Sequence, residues 1–175
     1  MEKINYKLII VFVGLPASGK SYTSNHIKQY LSWLGYKIEI FNCGNYRRKL
    51  TKNKQDADFF NNNNENNLKL REQFFYHAIF DLNTYLSNNL GEIAILDATN
   101  STRKRRKKIF QFLSLFKYKK RLIFLENITN DSSIILNNIN FKKKSPDYIN
   151  TSNESMKKDF YKRLEHYQEV YEDID

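Results

Sequence analysis

The sequence predicts an α/β fold: a parallel sheet flanked by helices on both faces and entered through a phosphate-binding loop of the P-loop type. Three observations predict it. Four short apolar runs recur along the chain, each followed by a helical stretch, which is the pattern of parallel strands joined by crossovers. The first run, Leu8-Ile9-Ile10-Val11-Phe12-Val13, feeds directly into Gly14-Leu15-Pro16-Ala17-Ser18-Gly19-Lys20-Ser21, and a helix-like segment opens at Ser21. Strand, glycine-rich turn and helix in that order are the setting in which such a loop holds a phosphate chain. Finally, 175 residues that are 41% hydrophobic and 15% aromatic suffice for one domain with a sizeable core.

The elements follow in chain order. After the first strand and the loop, the helix from Ser21 to Leu34 stops at Gly35, placed as a C′ residue. The second strand is Lys37 to Asn42. Gly44-Asn45-Tyr46-Arg47-Arg48 follows it on the carboxyl rim, with one arginine reaching a ligand and the other solvated. Asn61 to Asn64 reads as a low-complexity loop tip that tolerates drift. The helix Asn67 to Ser87 sets Phe75, Ile79, Leu82 and Leu86 on one face. The third strand is Glu92 to Asp97. The helix Thr102 to Phe116 aligns Ile109, Phe112, Leu113 and Phe116, with most of its basic first turns solvated. The fourth strand is Arg121 to Glu126, Asp131 caps a helix running to Asn140, and a last amphipathic helix spans Ser152 to Tyr171.

Composition excludes several classes. Cys43 is the only cysteine, so there is no disulfide framework, and a lone thiol fits a cytoplasmic protein. No apolar run approaches the ~20 residues that span a bilayer, and no secretory signal precedes the loop. The net charge of +10 fits phosphorylated small molecules, nucleic acid or an acidic membrane surface. Scattered short basic clusters and heavy Lys and Asn usage also fit compositional drift. His26, His77 and His166 lack metal-ligand spacing and read as structural.

The chemistry lies at the loop and at Asp97. Glycines let backbone N–H groups approach phosphate oxygens, and the following helix adds its positive end. In that setting Lys20 reaches the β/γ-phosphates and Ser21 offers a hydroxyl to Mg²⁺. Asp97 ends the third strand on the same rim, where a carboxylate holds Mg²⁺ or orients an attacking hydroxyl; the alternative is a helix N-cap. The run Asp97-Ala98-Thr99-Asn100-Ser101-Thr102-Arg103-Lys104-Arg105-Arg106 adds short polar side chains suited to a polyol and arginines suited to a phosphate. By themselves Arg71, Arg163 and Tyr167 default to the surface or core edge.

These segments resemble the kinase half of the bifunctional 6-phosphofructo-2-kinase/fructose-2,6-bisphosphatase family. The resemblance is carried by the loop, by Phe41-Asn42 with Gly44 and Tyr46-Arg47-Arg48, by Asp97-Ala98-Thr99-Asn100 with Thr102-Arg103, and by Ser145-Pro146-Asp147-Tyr148. It implies transfer of the ATP γ-phosphate to the 2-hydroxyl of fructose 6-phosphate. It also implies a site. The residues Gly14, Leu15, Pro16, Ala17, Ser18, Gly19, Lys20, Ser21, Tyr22 and Asn138 serve ATP, and Ser21 with Asp97 serves Mg²⁺. Asp97 is the active-site carboxylate beside Lys20. Arg47, Arg71, Thr99, Arg105, Arg163 and Tyr167 serve fructose 6-phosphate. Lys142 and Lys143 compete for the family's essential lysine, because the chain is one residue shorter before Ser145.

The chain departs from the family's usual pattern at Ser18, Asn45 and Thr129, where the family has Arg, Glu and Cys. It ends at Asp175, where the family continues into another strand and helix, and it carries no Arg-His-Gly signature of the phosphatase half. The expectation is a C-terminally shortened kinase domain, residues 1–175, lacking the sheet's last strand and without a phosphatase domain. A homodimer is compatible with it, whereas a membrane is not expected as a partner and nucleic acid is disfavoured. The alternatives are a P-loop kinase for another phosphorylated acceptor, such as a nucleic-acid end, and a nucleotide-binding module with little turnover.

Overall fold

A computed structural model describes residues 5–51 and 55–174. Its sheet has four parallel strands, β1 (Lys7–Val13), β2 (Ile38–Asn42), β3 (Ile93–Asp97) and β4 (Lys120–Glu126), in the order β2-β3-β1-β4. Six α-helices accompany it among the described residues: α1 (Lys20–Trp33), α2 (Cys43–Leu50), α3 (Glu65–Ser87), α4 (Arg103–Ser114), α5 (Ser132–Phe141) and α6 (Asn153–Gln168). Short 3₁₀ turns lie at Ala57–Phe60, Lys142–Lys144 and Pro146–Tyr148.

The central strands β1 and β3 are largely apolar because both of their faces are covered, whereas the edge strands β2 and β4 carry charged residues and are partly exposed. Alternate residues point to opposite sides. Ile10 and Phe12 join Ile38, Ile93 and Ile95 under Ile27 and Leu31 of α1. Ile9 and Val11 join Ala94 and Leu96 under α3 and α4, where Phe75, Ala78, Ile79, Leu82 and Leu86 meet Ile109 and Leu113. A third, smaller cluster of Ala17, Ile139, Tyr148, Met156 and Phe160 packs α5 and α6 against the loop after β1. The 3.6-residue periodicity of α3 therefore identified the buried face correctly.

Helix ends follow local chemistry. Gly35 has φ +90°; its N–H bonds Ser32 O and the Tyr36 N–H bonds Leu31 O, a Schellman closure. Asp131 accepts from the N–H groups of Ser133 and Ile134 to start α5.

The segment after β2, given no element from the sequence, is a helix, α2, started by the Asn42 side chain. Three expectations are corrected. One of Arg47 and Arg48 was expected in solvent, but both pair with Asp147, at 2.5 and 3.2 Å. The Asn61–Asn64 run is a built corner: Asn62 donates to His166 O at 2.5 Å and accepts from Arg71, while Asn64 caps α3. Arg106, read as solvated, is 8% exposed and donates to the carbonyls of Asn100, Glu172 and Asp173, fastening the C-terminal segment to the start of α4.

β1 and β3 are neighbours whose connections leave to opposite faces, through α1 and through α4. That divergence opens a crevice at their carboxyl ends, where open α/β sheets bind ligands. Leu82 is fully buried in the α3 core, and Leu115 is 75% exposed. In urea titrations Leu82→Ala should lower stability by about 2–5 kcal/mol, whereas Leu115→Ala should change it by less than about 0.5 kcal/mol.

Candidate active site

The loop leaving β1 is shaped by its own backbone. Gly14 has φ +143°, and a Cβ there would lie 2.6 Å from the Asn127 carbonyl oxygen, so only glycine fits. Gly19 has φ +92° and stands at the N-cap of α1. Between them Ala17 holds φ 62° while buried against the α5–α6 cluster, so packing maintains a conformation that costs a non-glycine residue of order 1–3 kcal/mol. Asn138 of α5 donates to Ala17 O at 2.7 Å and braces the loop from outside. Asn127 braces the other flank, donating to Thr23 Oγ1 at 3.1 Å.

Lys20 is folded into this loop. Its ammonium donates to Gly14 O at 2.8 Å, Leu15 O at 2.5 Å and Ser18 Oγ at 3.3 Å. Burial pushes its pKa down to about 8; Asp97 opposes that shift and Lys142 adds to it. Ser21, the next residue, donates its hydroxyl to Asp97 Oδ2 at 2.8 Å. Asp97 is 3% exposed and also accepts from Asn42 Nδ2 at 2.5 Å. It is no helix cap: Thr102 caps α4 through Arg105 N–H. A hydroxyl and a carboxylate side by side at a phosphate loop suit Mg²⁺, which takes few protein oxygens and completes its shell with phosphate and water. No group of three or more His, Cys, Asp or Glu side chains among the described residues would hold a metal alone.

Across the cleft is a second centre made of guanidinium groups. Asp147, in the 3₁₀ turn before α6, receives Arg47 at 2.5 Å and Arg48 at 3.2 Å from α2, and Arg163 of α6 lies at 4.0 Å. Arg163 also pairs with Asp159 at 2.8 Å, donates to Gln55 O, and lies over the rings of Phe60 and Tyr148. It is 6% exposed, not at the surface as its helix position alone suggested. Arg71 of α3 bonds Phe60 O and Asn62, leaving its Nε buried without a hydrogen-bond partner among the described residues. Arg105 pairs with Glu72, stacks at 4.1 Å on Phe75, and leaves one terminal nitrogen buried and without a partner among the described residues. Buried donors of that kind are rare and point to a missing acceptor.

One cleft of about 1470 Å³ joins the two centres, more than the roughly 300–1,000 Å³ of a single small-molecule site. Its lining includes Lys20, Ser21, Tyr22, Asp97, Thr99 and Asn138, together with Arg47, Arg71, Arg105, Arg163 and Tyr167. Lys142 lines it too, whereas Lys143 does not and is exposed. Tyr22 sits at the rim, 71% exposed, its ring 4.2 Å from His26. Sequence reasoning missed Asn42, Glu72, Asp147 and Asp159, the acceptors and donors that orient the candidate residues. Asp147 stood inside a quoted motif, but nothing in the sequence identified its partners.

The fold and this site define a P-loop kinase architecture. Solved structures agree on the fold: an APS kinase of Mycobacterium tuberculosis (TM-score 0.51, 15% identity, 79% of this chain and 96% of that one) and Kti12 of Chaetomium thermophilum with ADP-AlF3 (TM-score 0.54, 15% identity, 95% and 81%). The family model for 6-phosphofructo-2-kinase matches residues 1–175, and the chain belongs to that family. It is 43% identical over 171 residues to the 6-phosphofructo-2-kinase/fructose-2,6-bisphosphatase of Aquarana catesbeiana, covering 97% of this chain and 36% of that protein. It is 41% identical over 172 residues to human 6-phosphofructo-2-kinase/fructose-2,6-bisphosphatase 4, covering 98% and 36%. It is 43% identical over 171 residues to a Saccharomyces cerevisiae protein named fructose-2,6-bisphosphatase, covering 97% and 37%. The chain thus spans little more than a third of the length of these relatives.

Removing one partner of a buried ion pair leaves the other charge uncompensated. Asp147→Ala, which strands the buried Arg47 while Arg163 keeps Asp159, should therefore lower the unfolding free energy by about 3–5 kcal/mol in denaturant titration.

Proposed function

We propose that this chain transfers the γ-phosphoryl group of ATP to the 2-hydroxyl of fructose 6-phosphate, giving fructose 2,6-bisphosphate, and that it works in the cytoplasm. The observation that carries the reading is the one cleft that joins the phosphate loop and Asp97 to guanidinium groups, two of which, Arg71 and Arg105, keep a buried nitrogen without a partner among the described residues. Membership of the 6-phosphofructo-2-kinase family supports it. No helix among the described residues is long and apolar enough to cross a membrane.

Phosphoryl transfer of this kind needs positioning and charge neutralisation rather than a covalent intermediate. The amides of Gly14 to Ser21 bind the triphosphate. Lys20 exchanges the carbonyls of Gly14 and Leu15 for phosphate oxygens. Ser21 and Asp97 would hold Mg²⁺, which when bound offsets phosphate charge. Asn138, outside the loop, keeps Ala17 and its neighbours in shape. On the opposite side Arg47, Arg71, Arg105 and Arg163 surround the sugar phosphate, with Thr99 and Tyr167 beside the sugar. Asp97 orients the 2-hydroxyl. Lys142 faces Lys20 across the reacting group, a role supported by its place in the lining and by its lowering of the Lys20 pKa.

One finding favours a second reading, a nucleotide-binding domain with little turnover: the yeast relative matched over the same length bears the name of a bisphosphatase alone. A coupled assay for fructose 2,6-bisphosphate separates the two. Turnover should require ATP, Mg²⁺ and fructose 6-phosphate, and Lys20→Met should reduce it by about 10²–10³. Thermal stabilisation by ATP without product would establish the second reading. Arg71→Ala should raise the KM for fructose 6-phosphate by about tenfold or more, through loss of a buried charged donor, and leave that for ATP within about twofold. An equal rise in both constants would remove Arg71 from the sugar-phosphate site.

A further inference from the structure

We infer that Asn42 is a positioning residue: one side-chain amide fixes the Asp97 carboxylate and starts the helix that carries Arg47 and Arg48, tying the two centres of the cleft together. The inference rests on the roles proposed above for Asp97 and Arg47.

The register of the sheet creates the contact. β2 and β3 are parallel, and their last paired residues are Asn42 and Asp97. The Asn42 amide nitrogen donates to Asp97 Oδ2 at 2.5 Å, the same oxygen that accepts from Ser21 at 2.8 Å. The amide oxygen accepts from the Asn45 N–H at 3.1 Å and so caps α2. Both ends of the side chain are thereby committed. Rotating the amide by half a turn would set oxygen against carboxylate and nitrogen against N–H, so these two partners determine its orientation. The packing leaves no slack: a Cβ on Gly44 would lie 3.0 Å from the Asn42 amide oxygen and 3.4 Å from the Arg48 guanidinium.

The contacts continue beyond the cap. Arg48 donates to Asn45 Oδ1 at 2.7 Å and to Asp147 at 3.2 Å, and Asp147 receives Arg47 at 2.5 Å. A chain of named hydrogen bonds therefore runs from Ser21 and Asp97, through Asn42, Asn45 and Arg48, to the carboxylate that gathers the arginines. Partners that orient a reacting or metal-holding carboxylate from behind typically matter by 10–100-fold.

The alternative is that Asn42 serves only as a helix cap, and Asn42→Ser separates the two roles. Serine caps helices about as well as asparagine does, but its one short hydroxyl cannot hold the α2 cap and Asp97 together, and it sets no second negative charge beside Asp97. Asn42→Ser should keep the thermal midpoint near that of the unchanged chain and hold KM for ATP and fructose 6-phosphate within about threefold. Its kcat should fall by about 10–100-fold. Asn42→Ala should lose kcat similarly and the thermal midpoint as well. Full kcat in Asn42→Ser, or a loss expressed only in KM, overturns the inference.

A second measurement does not depend on turnover. In ¹⁵N-labelled chain, the Asn42 side-chain amide resonances, assigned by their disappearance in Asn42→Ser, should shift in Asp97→Ala. Resonances that stay in place overturn the inference. If they shift in a chain that makes no fructose 2,6-bisphosphate, the proposed activity fails and the positioning contact stands.

Discussion

The Asp147 carboxylate is the constraint on which the sugar-phosphate side of the cleft depends. Arg47 and Arg48 come from one helix and Arg163 from another, more than a hundred residues later, yet all three converge within 4.0 Å of one oxygen. Without an acidic partner, buried guanidinium groups would repel one another and carry an uncompensated desolvation cost. Asp147 and Asp159 offset most of that charge, and the rings of Phe60 and Tyr148 take up the flat faces of Arg163. Three arginines against two carboxylates leave one positive charge in the cluster. A rigid array with a small surplus fits a site that must hold cations ready before an anion arrives. Burial still depresses the pKa of Arg47 despite Asp147, a sign that the partner does not fully repay the loss of water.

The phosphate loop follows the same logic with a different partner. Among the described residues Lys20 forms no ion pair with a carboxylate, and it is satisfied by the carbonyls of the loop it belongs to. The loop conformation and the lysine position are therefore one arrangement, held open at Gly14 by the lack of a Cβ and pressed shut at Ala17 by α5 and α6. Because burial disfavours the charged lysine, an anion that restores its charge balance gains more there than at an exposed lysine.

What was legible in the sequence follows from this division. Strands and the long helices were legible because their apolar periodicity reflects burial on a few fixed faces, as Phe75, Ile79, Leu82 and Leu86 show. The loop was legible because its backbone demands glycine at fixed spacing. Helix α2 was not, since Cys43-Gly44-Asn45-Tyr46-Arg47-Arg48 has no apolar stripe and owes its start to a cap on Asn42. Arg106 and Arg163 were misplaced for a related reason. A guanidinium looks solvated until its partner is known, and their partners lie scores of residues away. The family resemblance compensated for Arg163 by position, but it carried no information about Asp159, Glu72 or the Asn42–Asp97 contact.

The same geometry bears on the net charge of +10, which composition alone left divided between a partner and drift. Among the described residues, ten lysine and arginine side chains line the cleft against four carboxylates. A surplus of six is therefore gathered around one concavity. An extended polyanion would instead call for a basic stripe over an open face, since its affinity comes from many spaced phosphate contacts. A concave, low-dielectric site concentrates the field on ligands small enough to enter it. A phosphate monoester alone carries about two negative charges at neutral pH, and a triphosphate carries more, so two such ligands bound together need a surplus of this order. The cationic character of the chain is thus partly a property of the cleft, set by where α2, α3, α4 and α6 place their arginines.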